Sequence, residues 1–94
     1  MIPMEMLLTL KNRSDIEVIA SIVRCAINNW EYQTTIMNNA CVSHSQITKY
    51  LPLAVKTRLM EYSNFTNLYK TTSLGKDFLN KHAKLIQLFT DISE

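Results

Sequence analysis

The chain has 94 residues, of which 47% are hydrophobic and 9% aromatic, and its formal net charge at pH 7 is +2. This length supports one modest hydrophobic core and excludes two independently folded domains. The apolar stretch MIPMEMLL contains Glu5 and falls short of the roughly 18 residues that a membrane span needs, so we expect a cytoplasmic protein without a membrane partner and with reduced cysteines.

The first predicted element is a helix over residues 15–28, which follows an apolar N-terminal segment at residues 1–12. Ser14 and Glu17 have the spacing of a capping box, in which each side chain accepts a hydrogen bond from the backbone amide of the other residue. Apolar residues at helical spacing then predict one buried face: Ile16, Ile19, Ala20, Val23, Ala26 and Ile27. Asn28 and Asn29 are expected to end this helix.

Two shorter helices are predicted next. Residues 33–40 form the second, with Ile36, Met37 and Ala40 directed inward. The third helix begins after Ser43, because Ser43 and Gln46 repeat the capping-box spacing. Val42, just before the cap, can pack on Ile47 as a hydrophobic staple.

This start decides which side chains of the third helix are buried. The inner face is predicted to hold Ile47, Tyr50, Leu51 and Ala54. The outer face is predicted to hold His44, Ser45, Thr48 and Lys49. A short helix that follows another across a tight turn and exposes its own first turn is the helix-turn-helix arrangement.

A hairpin and a long helix complete the predicted elements. Residues 59–63 and 68–72 are rich in apolar, aromatic and β-branched residues and flank a polar loop at 64–67, which predicts two strands. Three helices followed by a hairpin make a winged helix. From about Ser73 to Ile92 a helix follows with one apolar stripe, interrupted by His82, that spans only two heptads.

The sequence resembles small archaeal winged-helix DNA-binding proteins that pair through a long C-terminal helix in an antiparallel coiled coil. The resemblance covers residues 13 to about 90 and is carried by RSDIEVIASIVRCA, TTIMNNACVSHSQITKYL and LYKTTSLGKDFLNKHAKLI. It implies a mainly α (α+β) protein, with a winged helix-turn-helix domain at residues 13–72, a two-stranded wing, and a dimerisation helix at residues 73–94. It also implies a homodimer that binds double-stranded DNA, as a transcription regulator or as a nucleoid-associated chromatin protein.

The chain departs from this family at several positions. Asn29-Trp30-Glu31 replaces the usual Asn-Gly-Ala, and Tyr32 stands in place of a capping threonine. Pro52 lies inside the third helix, where it removes an amide and should kink the helix or end it early. Arg58 stands where a glycine normally closes that helix, so a positive φ there would carry a steric cost.

The candidate DNA-contacting residues lie on the third helix and the wing. A helix in the major groove reads bases with its N-terminal residues and holds phosphates with its basic ones, which favours His44, Ser45, Gln46, Thr48 and Lys49. The Gln46 amide suits adenine, but the capping box uses the same side chain. Lys56, Arg58 and Lys70 are predicted phosphate contacts. The seam between two copies is predicted to hold Phe78, Leu79, His82, Leu85, Ile86, Phe89 and Ile92.

Residues 42–76 carry five basic residues and one acidic residue, so the positive charge is concentrated there.

Other chemistry has little support in the sequence. The pair Cys41 and His44 lacks a matching second pair of ligands, and no phosphate-binding or nucleophile motif appears. We therefore expect neither an enzyme nor a cofactor. The alternative to DNA binding is a winged-helix adaptor that binds a protein partner.

Overall fold

The computed structural model describes residues 14–92, with side chains described for residues 15–88. The elements in chain order are α1 (Ser14–Arg24), α2 (Gln33–Ala40), α3 (His44–Lys56), β1 (Met60–Ser63), β2 (Leu68–Thr71) and α4 (Ser73–Ile92). The predicted order of three helices, a hairpin and a long helix is confirmed. The predicted segment 1–12 and the Ser14 side chain of the first capping box lie outside this description.

The core lies between α1, α2, α3 and the start of the hairpin. Its buried side chains are Ile22, Val23, Ala26, Ile36, Ile47, Tyr50, Leu51, Ala54 and Met60. All four residues predicted for the inner face of α3 are among them, and the predicted outer residues are exposed. α1 packs against α2, α3 and α4, and is therefore the central helix of the domain.

α1 ends earlier than the sequence predicts. Its last residue is Arg24, so the prediction that it continues to Asn28 is wrong. The Thr71 hydroxyl donates a hydrogen bond to the Val23 carbonyl, and the Thr71 amide donates one to the Ala26 carbonyl at 2.9 Å. These carbonyls are bonded to β2 instead of to the amides of a further helical turn, so the chain leaves the helix here.

The start of α3 is fixed as the sequence predicts. The Ser43 hydroxyl accepts a hydrogen bond from the Gln46 amide at 3.2 Å, and Gln46 Oε1 accepts one from the Ser43 amide at 2.9 Å. Val42 and Ile47 both pack in the core, on either side of this cap. The capping box therefore sets both the first residue of α3 and the helical phase that exposes its outer face.

α3 continues through Pro52 to Lys56, so of the two predicted effects of the proline, a kink or an early end, the early end is wrong. Leu51 and Ala54, on either side of it, are each 1% exposed. An interior proline costs about 3 kcal/mol, and the burial of one leucine side chain contributes about 1.5–3 kcal/mol. Packing of the inner face thus offsets the loss. Pro52 has no amide hydrogen to donate to the Thr48 carbonyl. Both residues are exposed, so water can bond to that carbonyl instead.

The end of α3 forces a non-glycine residue into the left-handed region. Arg58 has a φ of 68°. Its amide donates to the Val55 carbonyl at 3.0 Å and the Leu59 amide donates to the Ala54 carbonyl at 2.9 Å, which is the bond pattern of a Schellman motif. The positive φ that a glycine would adopt freely is thus adopted by an arginine. Cys41 adopts the same conformation after α2, with a φ of 57°.

The hairpin extends to a third segment of the chain. β1 and β2 pair antiparallel with Met60 opposite Thr71 and Tyr62 opposite Tyr69. On the other edge of β2, Tyr69 exchanges two backbone hydrogen bonds with Glu31, at 2.8 and 2.9 Å. Because the amide and carbonyl of Tyr69 bond to Glu31, the Tyr62–Tyr69 pair is of the non-hydrogen-bonded type, in which facing side chains lie closer.

Gly75 is the only glycine of the chain, and it lies where α4 crosses the root of the hairpin. A Cβ at this position would overlap the Leu59 carbonyl oxygen and lie 2.7 Å from Thr71 Cγ2. The Thr72 hydroxyl caps α4 by accepting from the Gly75 amide at 3.0 Å, and it donates to the Arg58 carbonyl at 2.6 Å. One hydroxyl therefore joins the end of α3 to the start of α4.

The apolar stripe of α4 is partly used within the chain. His82 is 7% exposed, and its Nε2 lies 3.4 Å from Glu17 Oε1 on α1, within ion-pair distance but without hydrogen-bond geometry. Leu79 packs on the core, and Phe78 and Leu85 are half-buried. Ile86 and Leu88 are exposed. The side chains of the predicted seam residues Phe89 and Ile92 lie outside the described residues.

Candidate functional site

The outer face of α3 is a continuous polar surface. Ser45, Thr48, Lys49 and Lys56 are exposed and recur at helical spacing, so that they form one strip along the helix. His44, at the first position, is exposed beside them. The predicted residues of this helix are therefore brought together on one face.

The first turn of α3 is ordered by its own hydrogen bonds. Thr48 Oγ1 lies 2.9 Å from the His44 carbonyl and 3.1 Å from the Ser45 carbonyl, to which it can donate. The Ser43 and Ser45 hydroxyl oxygens lie 3.1 Å apart. Because Gln46 Oε1 is used in the cap, only the NH₂ group of that amide remains for an external partner. The capping role weighed for Gln46 is confirmed.

α3 is also anchored to α1 by a buried hydroxyl. Tyr50 donates a hydrogen bond of 2.5 Å to Asp15 Oδ1. This bond raises the pKa of the Tyr50 hydroxyl above its ordinary value, and burial and the Asp15 charge act in the same direction. Lys49 Nζ lies 5.1 Å from the centre of the Tyr50 ring, within the range of a cation–π contact. The exposed lysine thus rests on a residue that is fixed to the core.

Basic side chains continue from α3 onto the hairpin. Lys56 and Arg58 are exposed at the end of α3, and Lys70 is half-exposed on β2. Lys70 lies opposite Glu61 in the strand register. The Arg58 carbonyl accepts a hydrogen bond from the Thr72 hydroxyl, and the Arg58 amide donates one to the Val55 carbonyl. The backbone that carries this guanidinium is therefore bonded both to α3 and to the residue that precedes α4. The structure therefore supplies cations at the end of α3 and along β2.

An aromatic cluster beside the hairpin was not predicted from the sequence. The Tyr62 and Tyr69 rings are 4.7 Å apart between centroids and tilted by 40°. Together with Tyr32, Gln33, Thr34 and Asn67 they line an open groove of about 270 Å³. Burial raises the pKa of the Tyr69 hydroxyl above its ordinary value. The sequence has one tyrosine in each predicted strand, Tyr62 and Tyr69. That these two residues face each other follows only from the strand register.

Phe65 at the tip of the hairpin was also missed. It lies in the turn between β1 and β2 and is 94% exposed. The turn was predicted as a polar loop from its asparagines and threonine, and the phenylalanine within it was given no role. Its position in a turn otherwise composed of polar residues was the signal that the sequence offered.

The described residues were compared with what a metal ion or a membrane-spanning helix requires. Among the side chains of residues 15–88, no three His, Cys, Asp or Glu groups lie close enough to hold a metal ion. Cys41 and His44 are both exposed. Burial raises the pKa of the Cys25 thiol, which donates to the Ser21 carbonyl at 3.1 Å. No helix within residues 14–92 is long and apolar enough to cross a membrane.

Residues 12–90 match a family model described as winged helix-turn-helix. This range includes α1, α2, α3, the hairpin and most of α4. A comparison with curated proteins finds no match to the chain. The winged-helix fold predicted from the sequence is confirmed, while the archaeal relationship and the pairing of two copies through α4 stay predictions.

Proposed function

The chain belongs to the winged helix-turn-helix family, and from that premise we propose that it binds double-stranded DNA through the outer face of α3 and the hairpin, which acts as the wing. The observation that carries the proposal is the exposed strip of Ser45, Thr48 and Lys49 on a helix whose first turn is fixed by a capping box. A helix presented in this way can enter the major groove, where side chains of its first turns reach base edges.

Each side chain has a proposed part in this interface. The His44 ring, the Ser45 hydroxyl and the NH₂ group of Gln46 face base edges, and the Thr48 methyl group suits contact with thymine. Lys49, Lys56, Arg58 and Lys70 neutralise phosphates and set the register of the protein on the duplex. We assign the chain no catalytic role and no cofactor. We propose that DNA binding serves transcription regulation or a structural role on the chromosome, and that it takes place in the cytoplasm.

A titration at several salt concentrations tests the proposal. The protein is added to a fluorescently labelled duplex of mixed sequence, and binding is read by anisotropy. Binding should weaken steeply with salt, with a log-log slope near −0.9 for each phosphate neutralised. Lys49→Ala should make the slope shallower by about one such step, whereas Lys84→Ala, which removes an exposed lysine from α4, should leave it unchanged.

Two results would contradict the proposal. Equal slopes for the wild type and Lys49→Ala would remove α3 from the interface. An absence of binding even at low salt would remove DNA as the partner and favour the alternative, an adaptor for another protein.

We further propose that two copies pair through α4, as in the family that the sequence resembles. The support is the position of the exposed Ile86 and Leu88 and the half-buried Leu85, which bring apolar surface to the half of α4 beyond the contact of His82 with α1. Exposed apolar side chains along one helix are typical of a helix-pairing surface. Because two copies would carry two α3 helices, the dimer could contact two half-sites on one duplex.

Sedimentation equilibrium at micromolar concentration tests the pairing. The wild type should be a dimer, and Ile86→Asp should be monomeric because a charge buried in the seam costs several kcal/mol. Gln87→Asp adds the same charge at the exposed neighbouring position and should stay dimeric. A monomeric wild type would exclude the pairing, and a dimeric Ile86→Asp would place the seam elsewhere.

A further inference from the structure

The tip of the wing presents a single large apolar side chain to solvent. Phe65 is 94% exposed, and the next most exposed of the large apolar side chains that the structure describes is Tyr32, at 59%. The exposed ring of Tyr62, next to the turn, contacts other side chains. Phe65 makes no such contact with the side chains of residues 15–88, so its ring is available to a binding partner.

The turn that carries Phe65 is held by hydrogen bonds on both sides. The Asn67 amide donates to the Ser63 carbonyl at 2.7 Å, and the Thr66 amide donates to Ser63 Oγ at 3.3 Å. The Tyr62 hydroxyl donates to Asn67 Oδ1 at 2.6 Å. Asn67 has a φ of 61°, a conformation that asparagine tolerates. These bonds fix the shape of the turn, so Phe65 is held away from the domain before any partner binds.

The tip of the wing is uncharged, and cations lie at its root. Residues 64–67 carry no charge, and the nearest charged residues of the wing are the facing pair Glu61 and Lys70. The cations Lys56 and Arg58 lie at the root of the wing. A narrow uncharged tip can enter the minor groove, about 6 Å wide, while cations near its root neutralise the flanking phosphates.

We propose that Phe65 is an apolar wedge, which inserts from the minor groove between two stacked base pairs and kinks the duplex. Apolar side chains on minor-groove proteins act in this way, partly unstacking one base step and bending the DNA by about 20–90°. The rigid turn supplies the support that such insertion needs. The inference rests on the proposed DNA binding and adds to it a residue that deforms the duplex without reading base edges.

The test measures DNA unwinding, because partial insertion between base pairs reduces twist. Closed circular plasmid is relaxed by a topoisomerase in the presence of saturating protein, and the change in linking number per bound protein is determined after deproteinisation. The wild type should lower the linking number. Phe65→Ala should lose most of that change, while Phe65→Leu, which keeps an apolar wedge, should retain much of it. Because Phe65 is 94% exposed, unchanged thermal unfolding of both variants checks that they are folded.

The outcomes separate the wedge from DNA binding itself. If the wild type binds the plasmid and Phe65→Ala gives the same change in linking number per bound protein, the wedge is overturned and DNA binding stands. The same holds if the bound wild type produces no change. If the wild type does not bind, both proposals fail, and Phe65 becomes a contact for a protein partner.

Discussion

Replacing Arg58 separates the conformational cost of this residue from the proposed role of its charge. Its φ of 68° is in the left-handed region, which costs an L-residue roughly 1–2 kcal/mol. Glycine avoids that cost but loses about 0.4–1 kcal/mol through the greater freedom of the unfolded chain. Arg58→Gly should therefore raise the free energy of unfolding by about 0.5–1 kcal/mol, which for a domain of this size corresponds to an increase in Tm of about 2–8 °C.

Arg58→Ala is the matched control, because it removes the guanidinium and keeps the strained φ. The side chain is exposed, so its truncation leaves the core intact, and the free energy of unfolding should change by less than about 0.5 kcal/mol. In DNA titrations both variants should lose the same phosphate contact and show the same shallower salt dependence.

Urea unfolding and salt titrations of the three proteins decide between the two effects. Equal stability of Arg58→Gly and Arg58→Ala would refute the cost assigned to the positive φ. A salt slope of Arg58→Ala equal to that of the wild type would refute the phosphate contact. If both expected results are obtained, the position trades stability for binding, as strained residues at functional sites often do.

Two further substitutions test the packing that supports the interface. Tyr50→Phe should cost about 1.5 kcal/mol near neutral pH, because it removes a hydrogen bond to the Asp15 carboxylate. Since the folded-state pKa of Tyr50 is raised, the wild type should lose this stabilisation as pH rises above about 10, whereas an equally steep alkaline loss in Tyr50→Phe would contradict the assignment. Gly75→Ala should destabilise the fold by at least about 1–3 kcal/mol, because the added Cβ overlaps the Leu59 carbonyl. Helix propensity alone favours alanine by about 1 kcal/mol, so a gain in stability in urea unfolding would refute the close approach.

The sequence predicts best where structure depends on neighbouring residues. The start of α3 follows from Ser43 and Gln46, three residues apart, and its inner face then follows from the helical period. The end of α1 could not be found in this way, because it depends on hydrogen bonds from Thr71, which lies 48 residues after Val23. Local propensity gave no reason for the chain to leave the helix at Arg24.

The candidate site shows the same division. The outer residues of α3, including Lys49, are predictable from the helical phase that its first residue sets. The continuation of α3 past Pro52 depends on burial of the opposite face of the helix. The local effect of a proline on a helix does not include this contribution from tertiary packing. The contact of Tyr62 with Tyr69 requires the strand register, and the exposure of Phe65 requires the shape of the turn.

The contacts around Thr72 have a consequence for how the two halves of the protein move. A single hydroxyl bridges the Arg58 carbonyl and the Gly75 amide, and Gly75 lies against the Leu59 carbonyl, so no flexible linker separates α4 from the wing. In a dimer paired through α4, the two DNA-contacting faces would therefore have a fixed separation and a fixed relative orientation. The dimer would then bind only a narrow range of spacings between half-sites. An insertion of two glycines after Thr72 should widen that range.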